Sequence, residues 1–322
     1  MTNTPLNNPH DRFFRHTFTH PEVSRPFFQR YLPPAIRERL DLATLAPEPD
    51  SFVDAQLADH HADLLFQVRQ HDGQSARLFL LLEHKSYDAP WTGLQLLDYF
   101  LRIWTREKER LKQPPLPPVM GLVLYHGEAP WSGGSRFGDL LAAPGELGAF
   151  SPDFRFVLCD LCREQLDDLQ QRARLAIALQ VLKFIRSDEL PARLPEIFAL
   201  FRQLAHHRDD ALAYLGTVVR YIAGVARQVD RPTLEAAIIQ ALPTDMGENI
   251  MPTIAESWIE EGRQEGELRS ARRILLKLLR RRFGPLPEAV EQRVAQADPA
   301  TLDHWLDEVL TAPSLASLFP GG

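Results

Sequence analysis

Hydrophobic positions along the chain change period several times, and the changes outline its organisation. Leu78 to Leu82 is an unbroken apolar run that predicts a buried strand, yet it stops abruptly at Glu83, His84 and Lys85. Charged groups at the tip of such a strand need partners, because their desolvation is costly, and the two-residue period of a strand puts Glu83 and Lys85 on one face. Upstream, Ala62 to Arg69 is a second strand candidate, and the intervening His71-Asp72-Gly73-Gln74-Ser75 has turn chemistry. A hairpin centred on Gly73 sets Asp63 opposite Glu83, with roughly 4.5–5.5 Å between their β-carbons. Two carboxylates that close repel, and a divalent cation between them would resolve the repulsion; oxygen ligands favour magnesium or manganese.

Helical spacing appears before and after this hairpin. His10 to His20 and Pro21 to Pro33 predict two short amphipathic helices, with Phe13, Phe14, Phe18, Phe27, Phe28 and Tyr31 as their apolar content. Leu40 to Asp54 is punctuated by proline and reads as an irregular connection. Asp88 to Lys112 has helical periodicity through Leu94, Leu97, Leu101 and Trp104, and stops at Gln113-Pro114-Pro115. Pro118 to Tyr125 predicts a third strand, buried on both faces, and Phe154 to Leu158 a fourth, with a glycine-rich loop from Trp131 to Phe150 between them. This order predicts an α/β fold: three layers with helices on both faces of a central sheet.

From residue 164 strand signals fade. Residues 8–163 are expected to form the α/β core, 164–252 an all-helical extension, and 253–322 a basic helix followed by a small helical domain. In the last segment Ile274, Leu275, Leu278 and Leu279 are expected to pack with Val290, Leu302, Trp305 and Leu306. Its arginines would then be left either solvated or facing phosphates.

Composition narrows the function classes. With 44% hydrophobic residues, the 322-residue chain can bury a sizeable core. A formal charge of −7 argues against a general nucleic-acid coat, although a local basic patch would suffice for an enzyme. No apolar run is long enough to span a membrane and the N-terminus lacks a secretory pattern, so a cytoplasmic location with no membrane partner is expected. Cys159 and Cys162 form one CxxC with no second pair to complete a zinc site; they read as small core residues, with a redox pair as the alternative.

A strand carrying Asp63, then some twenty residues, then an apolar strand ending Glu83-His84-Lys85 is similar to the PD-(D/E)xK nuclease signature. The following helix carries Gln95-Leu96-Leu97-Asp98-Tyr99, which fits the QxxxY motif of the RecB-like branch. The order of HDRFFRHTF, LDLATL, SFVD, ADLLF, LLEHKS and VLYHGEAPW resembles the Rpn family of recombination-promoting nucleases, which also carry a YhgA-like transposase label. The likeness covers about residues 8–229. Family members often have Gln where this chain has Lys85, and Ala62 stands where the broader signature has proline.

The resemblance implies a restriction-endonuclease-like core with a mixed central sheet. It implies a metal-dependent DNA endonuclease of recombination or mobile elements, with DNA as partner and a homodimer as the expected assembly. Asp63 and Glu83 would hold magnesium, or manganese, with the backbone carbonyl of His84 adding an oxygen. Lys85 would orient or help deprotonate the attacking water, Gln95 would position water or a phosphate, and Tyr99 would contact the strand or brace the motif. His10, Asp11 and His126 are further candidates. The alternative is a catalytically idle DNA-binding or protein-interaction scaffold that keeps the fold, in which Glu83 and Lys85 form only a structural ion pair.

Overall fold

The computed structural model describes residues 9–48, 64–71, 78–87, 89–142, 145–169, 171–242, 263, 266–284 and 286–319 apart from 288, 289, 292, 295, 296, 298 and 313. Five strands form one sheet in the order β1 (Leu40–Pro47), β2 (Leu64–Gln70), β3 (Leu78–Lys85), β4 (Val119–Tyr125) and β5 (Val157–Asp160). The pairs β1–β2 and β2–β3 are antiparallel, whereas β3, β4 and β5 run parallel. The sheet is therefore mixed. Helices α1 (Pro9–Phe18) and α2 (Pro21–Tyr31) precede it, each opening on a proline, which suits the first helical turn because no intrahelical partner awaits its missing N–H. Pro34–Arg37 adds a single turn, α3.

The two faces of the sheet are buried against different layers. Leu64, Phe66, Val68, Leu82, Leu122, Leu124 and Cys159 share a core with Phe14, Phe18, Phe27 and Phe28 from α1 and α2. The opposite face offers Leu65, Phe79, Leu81 and Val123 to α4 (Thr92–Leu111), whose Leu96, Tyr99, Phe100 and Ile103 cover it. Strand alternation sends neighbouring side chains to opposite layers, and helices on both sides bury both sets. The three-layer α/β core with a mixed sheet is thus the architecture of the protein.

Several local expectations need correction. Leu40–Pro47 is a strand, not an irregular connection: it pairs with β2 on the sheet edge, where the terminal Pro47 withholds no hydrogen bond from a further strand. The pairing shifts between Asp41 and Ala46, and there the Thr44 hydroxyl accepts the Arg69 N–H at 3.0 Å, so a side chain replaces a ladder carbonyl. Helix α4 turns a different face inward from the expected one, for Leu94 and Leu101 are about half exposed. Strand β5 starts later than expected and runs to Asp160, whose carboxylate accepts the backbone N–H groups of Trp131 and Cys162, both at 3.0 Å. Cys159 is buried and Cys162 half-buried; both are free thiols.

The helical region joins the same core. Helix α5 (Ala173–Phe184) is apolar all round, the pattern of a helix enclosed by others. It packs against α2, α6 (Leu190–Ala199) and α7 (Arg208–Val225), shares its core with the sheet, and α8 (Arg231–Ala241) packs on α6. Arg174 of α5, itself buried, is paired with Glu22 of α2 at 2.5 Å and with Asp210 of α7, tying three helices through one guanidinium. No described helix is long and apolar enough to cross a membrane.

Residues 266–283 are helical and end at Gly284, whose φ of 81° is the left-handed geometry of a glycine terminator. Leu275 and Leu279 are buried with Val290, Leu302, Trp305 and Phe319, whereas Ile274 is 46% exposed instead of joining them. Arg282 donates to the carbonyls of Val309 and Ala312 at 2.7 and 2.6 Å, and Arg280 pairs with Glu291 at 2.6 Å, so part of the basic face is spent internally.

Gly121 on β4 sets how closely α4 approaches. A β-carbon there would meet the two δ-methyls of Leu96 at 3.2 and 3.3 Å and the Phe100 ring at 3.3 Å. Gly121→Val is expected to lever α4 away from the sheet and destabilise the fold by about 1–3 kcal/mol in urea denaturation, with Gly121→Ala costing less. An unchanged midpoint in the valine variant would mean that the contact has slack.

Candidate active site

Glu83 and Lys85 lie inside β3, not beyond its end, and pair in register with Val123 and Tyr125 of β4. The described ladder to β2 runs from Val68 opposite Leu78 to Leu64 opposite Leu82, which is the register centred on Gly73. It stops one step short of Glu83. Asp63, the expected partner of Glu83, lies outside the described residues.

Period two brings the carboxylate and the ammonium together on the α4 face, with Lys85 Nζ 2.5 Å from Glu83 Oε1. Gln95, one turn into α4, closes the group: Lys85 Nζ donates to its Oε1 at 2.8 Å, and its Nε2 donates to Glu83 Oε1 at 3.2 Å. Only this orientation of the amide sets a donor against the carboxylate and an acceptor against the ammonium. The same Nε2 donates to the hydroxyl of Tyr99 at 2.9 Å, one helical turn further on. Glu83, Lys85, Gln95 and Tyr99 are therefore gathered into one group, and Gln95 faces the sheet.

The group is nearly dry. Glu83 has no exposure, Tyr99 4% and Lys85 8%. Burial drives the Glu83 carboxyl above its ordinary pKa, and the adjoining ammonium and amide offset only part of that rise. Burial also raises the Tyr99 phenol, with the nearby Glu83 charge adding to it. The Oε2 atom of Glu83 is buried with no hydrogen-bond partner among the described residues. An orphaned carboxylate oxygen in such surroundings is costly, and it is the donor type that a hard divalent cation takes. Among the described residues no three His, Cys, Asp or Glu side chains are placed to hold a metal ion. Glu83 thus offers one suitable oxygen, and Asp63, the second carboxylate of the expected pair, lies outside the described residues.

The side chain of His84 points to the other face. It stacks between Phe14 of α1, at 4.8 Å, and His126 just past β4, at 5.2 Å. Its Nδ1 lies 3.7 Å from Asp11. His126 in turn lies 5.5 Å from His10. Arg186, after α5, donates from Nη1 to the Ser86 carbonyl at 2.7 Å and reaches His10 Nε2 at 3.3 Å with Nη2. A guanidinium can only donate, so Nε2 of His10 is the acceptor, and its Nδ1–H donates to the Tyr221 hydroxyl at 2.7 Å. Burial is the main cause that lowers the pKa of all three imidazoles: His10 to about 4, His84 to about 3, and His126 well below the ordinary value. Arg186 and Tyr221 carried no signal in the sequence. Arg186 reaches the end of β3 and Tyr221 reaches His10 from about a hundred residues or more downstream, and only the helical packing brings them there.

Residues 8–211 match the family model described as "Putative transposase, YhgA-like". Among curated proteins, the recombination-promoting nuclease RpnD of Escherichia coli O157:H7 is 31% identical over 205 residues, spanning 62% of this chain and 76% of that protein. RpnA of E. coli K12, also named a recombination-promoting nuclease, is 26% identical over 85% of this chain and 91% of its own. RpnE of the same strain, named an inactive recombination-promoting nuclease-like protein, is 27% identical over 88% and 93%. No solved structure matches.

Two stability tests follow from the geometry. Lys85→Met strands a buried carboxylate and should cost about 3–5 kcal/mol in urea denaturation, whereas adding Glu83→Gln should recover most of the loss. Additive losses would show the two groups to be uncoupled. The imidazoles give a pH dependence. Unfolded, each binds a proton near pH 6.5; folded, His10 and His84 do so only near 4 and 3. Stability should therefore fall as pH drops below about 6.5, by at most about 1.4 kcal/mol per unit per imidazole. His84→Phe should flatten that slope; a slope unchanged in the variant would mean that His84 is protonated in the fold.

Proposed function

We propose that this chain, which belongs to the YhgA-like putative transposase family, is a metal-dependent endonuclease that hydrolyses DNA phosphodiester bonds in recombination or mobile-element processes. The observation that carries the reading is the dry Glu83–Lys85–Gln95 group, in which one carboxylate oxygen has no partner among the described residues. A purely structural ion pair has no use for an unsatisfied buried oxygen, and a metal-binding strand end does. The names of RpnD and RpnA as nucleases support the same chemistry.

In this reading Asp63 and Glu83, with the His84 backbone carbonyl, would hold magnesium or manganese, which would supply Lewis-acid polarisation of the scissile phosphate and a more acidic water. Lys85 keeps one ammonium proton on Glu83 and one on Gln95, which leaves its remaining N–H for the attacking water or for a phosphate oxygen as negative charge gathers. Gln95 holds Lys85 at the angle that makes this reach possible. Tyr99, pinned in the α4 layer, holds Gln95 in turn. Burial keeps bulk water away and strengthens each of these contacts.

The test is nicking of supercoiled plasmid by the full chain. Cleavage should require magnesium or manganese and stop with a chelator. Asp63→Ala and Glu83→Ala should abolish it, Lys85→Ala should slow it by about 10²–10⁴-fold, and Gln95→Ala by about 10–100-fold. If the wild-type chain binds DNA but nicks no faster than Asp63→Ala with any divalent ion, the protein is an idle scaffold instead.

A further inference from the structure

Two large aromatic side chains close in the chain to residues of the polar group stand in water. Tyr87 is 65% exposed and Trp91 is 67% exposed. Both follow directly from the elements that build the site. Tyr87 comes two residues after Lys85, where β3 has ended. Trp91 caps the N-terminus of α4, and its carbonyl accepts the Gln95 N–H at 3.0 Å. Positions 91, 95 and 99 are spaced by four, so Trp91 continues, toward the open end, the helix face whose next two members are Gln95 and Tyr99. The exposed cation Arg186 is fastened to the carbonyl of Ser86, the residue between Lys85 and Tyr87.

We propose that Tyr87 and Trp91 are stacking platforms for unpaired bases, and that the substrate entering this site is a single-stranded segment of DNA whose backbone passes Arg186. The proposal rests on the nuclease reading of the Glu83–Lys85 group and adds the substrate class. Bases within a duplex have their faces covered by their neighbours, so a pair of exposed rings gains nothing from intact double helix. An unpaired strand offers a π-face at every nucleotide and a phosphate for a nearby guanidinium. A guanidinium fastened to the carbonyl next to Tyr87 favours such a polyanion over an apolar protein surface, which would have to desolvate it.

The experiment is an anisotropy titration of the full chain in chelator, where no cleavage occurs, so that binding is read whether or not the protein proves to be a nuclease. The probes are a short single strand, the blunt duplex of the same sequence, and an abasic strand with the same phosphates. The single strand should bind at least about tenfold more tightly than the abasic strand or the duplex. Trp91→Ala and Tyr87→Ala should each weaken it by about 5- to 150-fold, the range of one lost stacking contact, while leaving the abasic strand unchanged. Trp91→Phe should keep most of the affinity. Arg186→Gln should weaken single and abasic strands alike and lower the salt slope by about 0.7. Equal binding of single and abasic strands, or a Trp91→Ala variant that folds and binds as the wild type does, overturns the proposal. It is also overturned if light scattering shows Trp91→Ala dissolving a dimer while single-strand affinity stays the same; the rings would then belong to a second copy.

Discussion

The 2.5 Å contact between Lys85 and Glu83 is the constraint around which the rest of the site is arranged. Removing a carboxylate and an ammonium from water costs several kcal/mol per ion, and their attraction repays it only when the remaining hydrogen bonds are also made. Gln95 makes them for the ammonium and for one carboxylate oxygen. That requirement fixes the distance of α4 from the sheet, and Gly121 permits the distance by presenting no side chain to Leu96 and Phe100. The packing of one apolar layer and the wiring of the polar group are therefore the same geometric condition.

Strand β3 separates two electrostatic environments. On the α4 side a charged pair is kept together by an amide. On the α1 side the imidazoles of His84, His126 and His10 are held neutral by burial, with the positive charge of Arg186 pressing in the same direction. Were they protonated, three cations would crowd the strand that carries Lys85. Their neutrality leaves Lys85 as the principal positive partner of Glu83, while the buried Asp11 pushes the Glu83 carboxyl further upward. A carboxylate so placed favours an additional cation over an additional anion.

Much of this could be read from residue order. The turn centred on Gly73 and the alternation on either side of it gave the register of β2 against β3, and period two gave the shared face of Glu83 and Lys85. Gln95 and Tyr99 stood out only through the likeness to a QxxxY motif, and the helix face they share meets the strand. The misses have physical causes. Proline near Leu40–Pro47 suggested a loop because an edge strand tolerates proline as loops do. Helix α4 carries apolar residues on two faces, and periodicity alone could not say that Tyr99, Phe100 and Ile103 would outbid Leu94 and Leu101 for the sheet. No local pattern encodes the approach of Arg186 to Ser86, which depends on how α5 is buried.

That last contact changes the status of the helical region. Helix α5 is enclosed on all sides, so it has no stable position apart from the sheet beneath it and the helices above it. Its end delivers Arg186 to the carbonyl after Lys85, and α7 delivers Tyr221 to His10. The family match likewise runs on through residue 211, past the last strand and into α7. The helices after residue 164 thus support the strand that carries Lys85, through Arg186 at the Ser86 carbonyl and Tyr221 at His10.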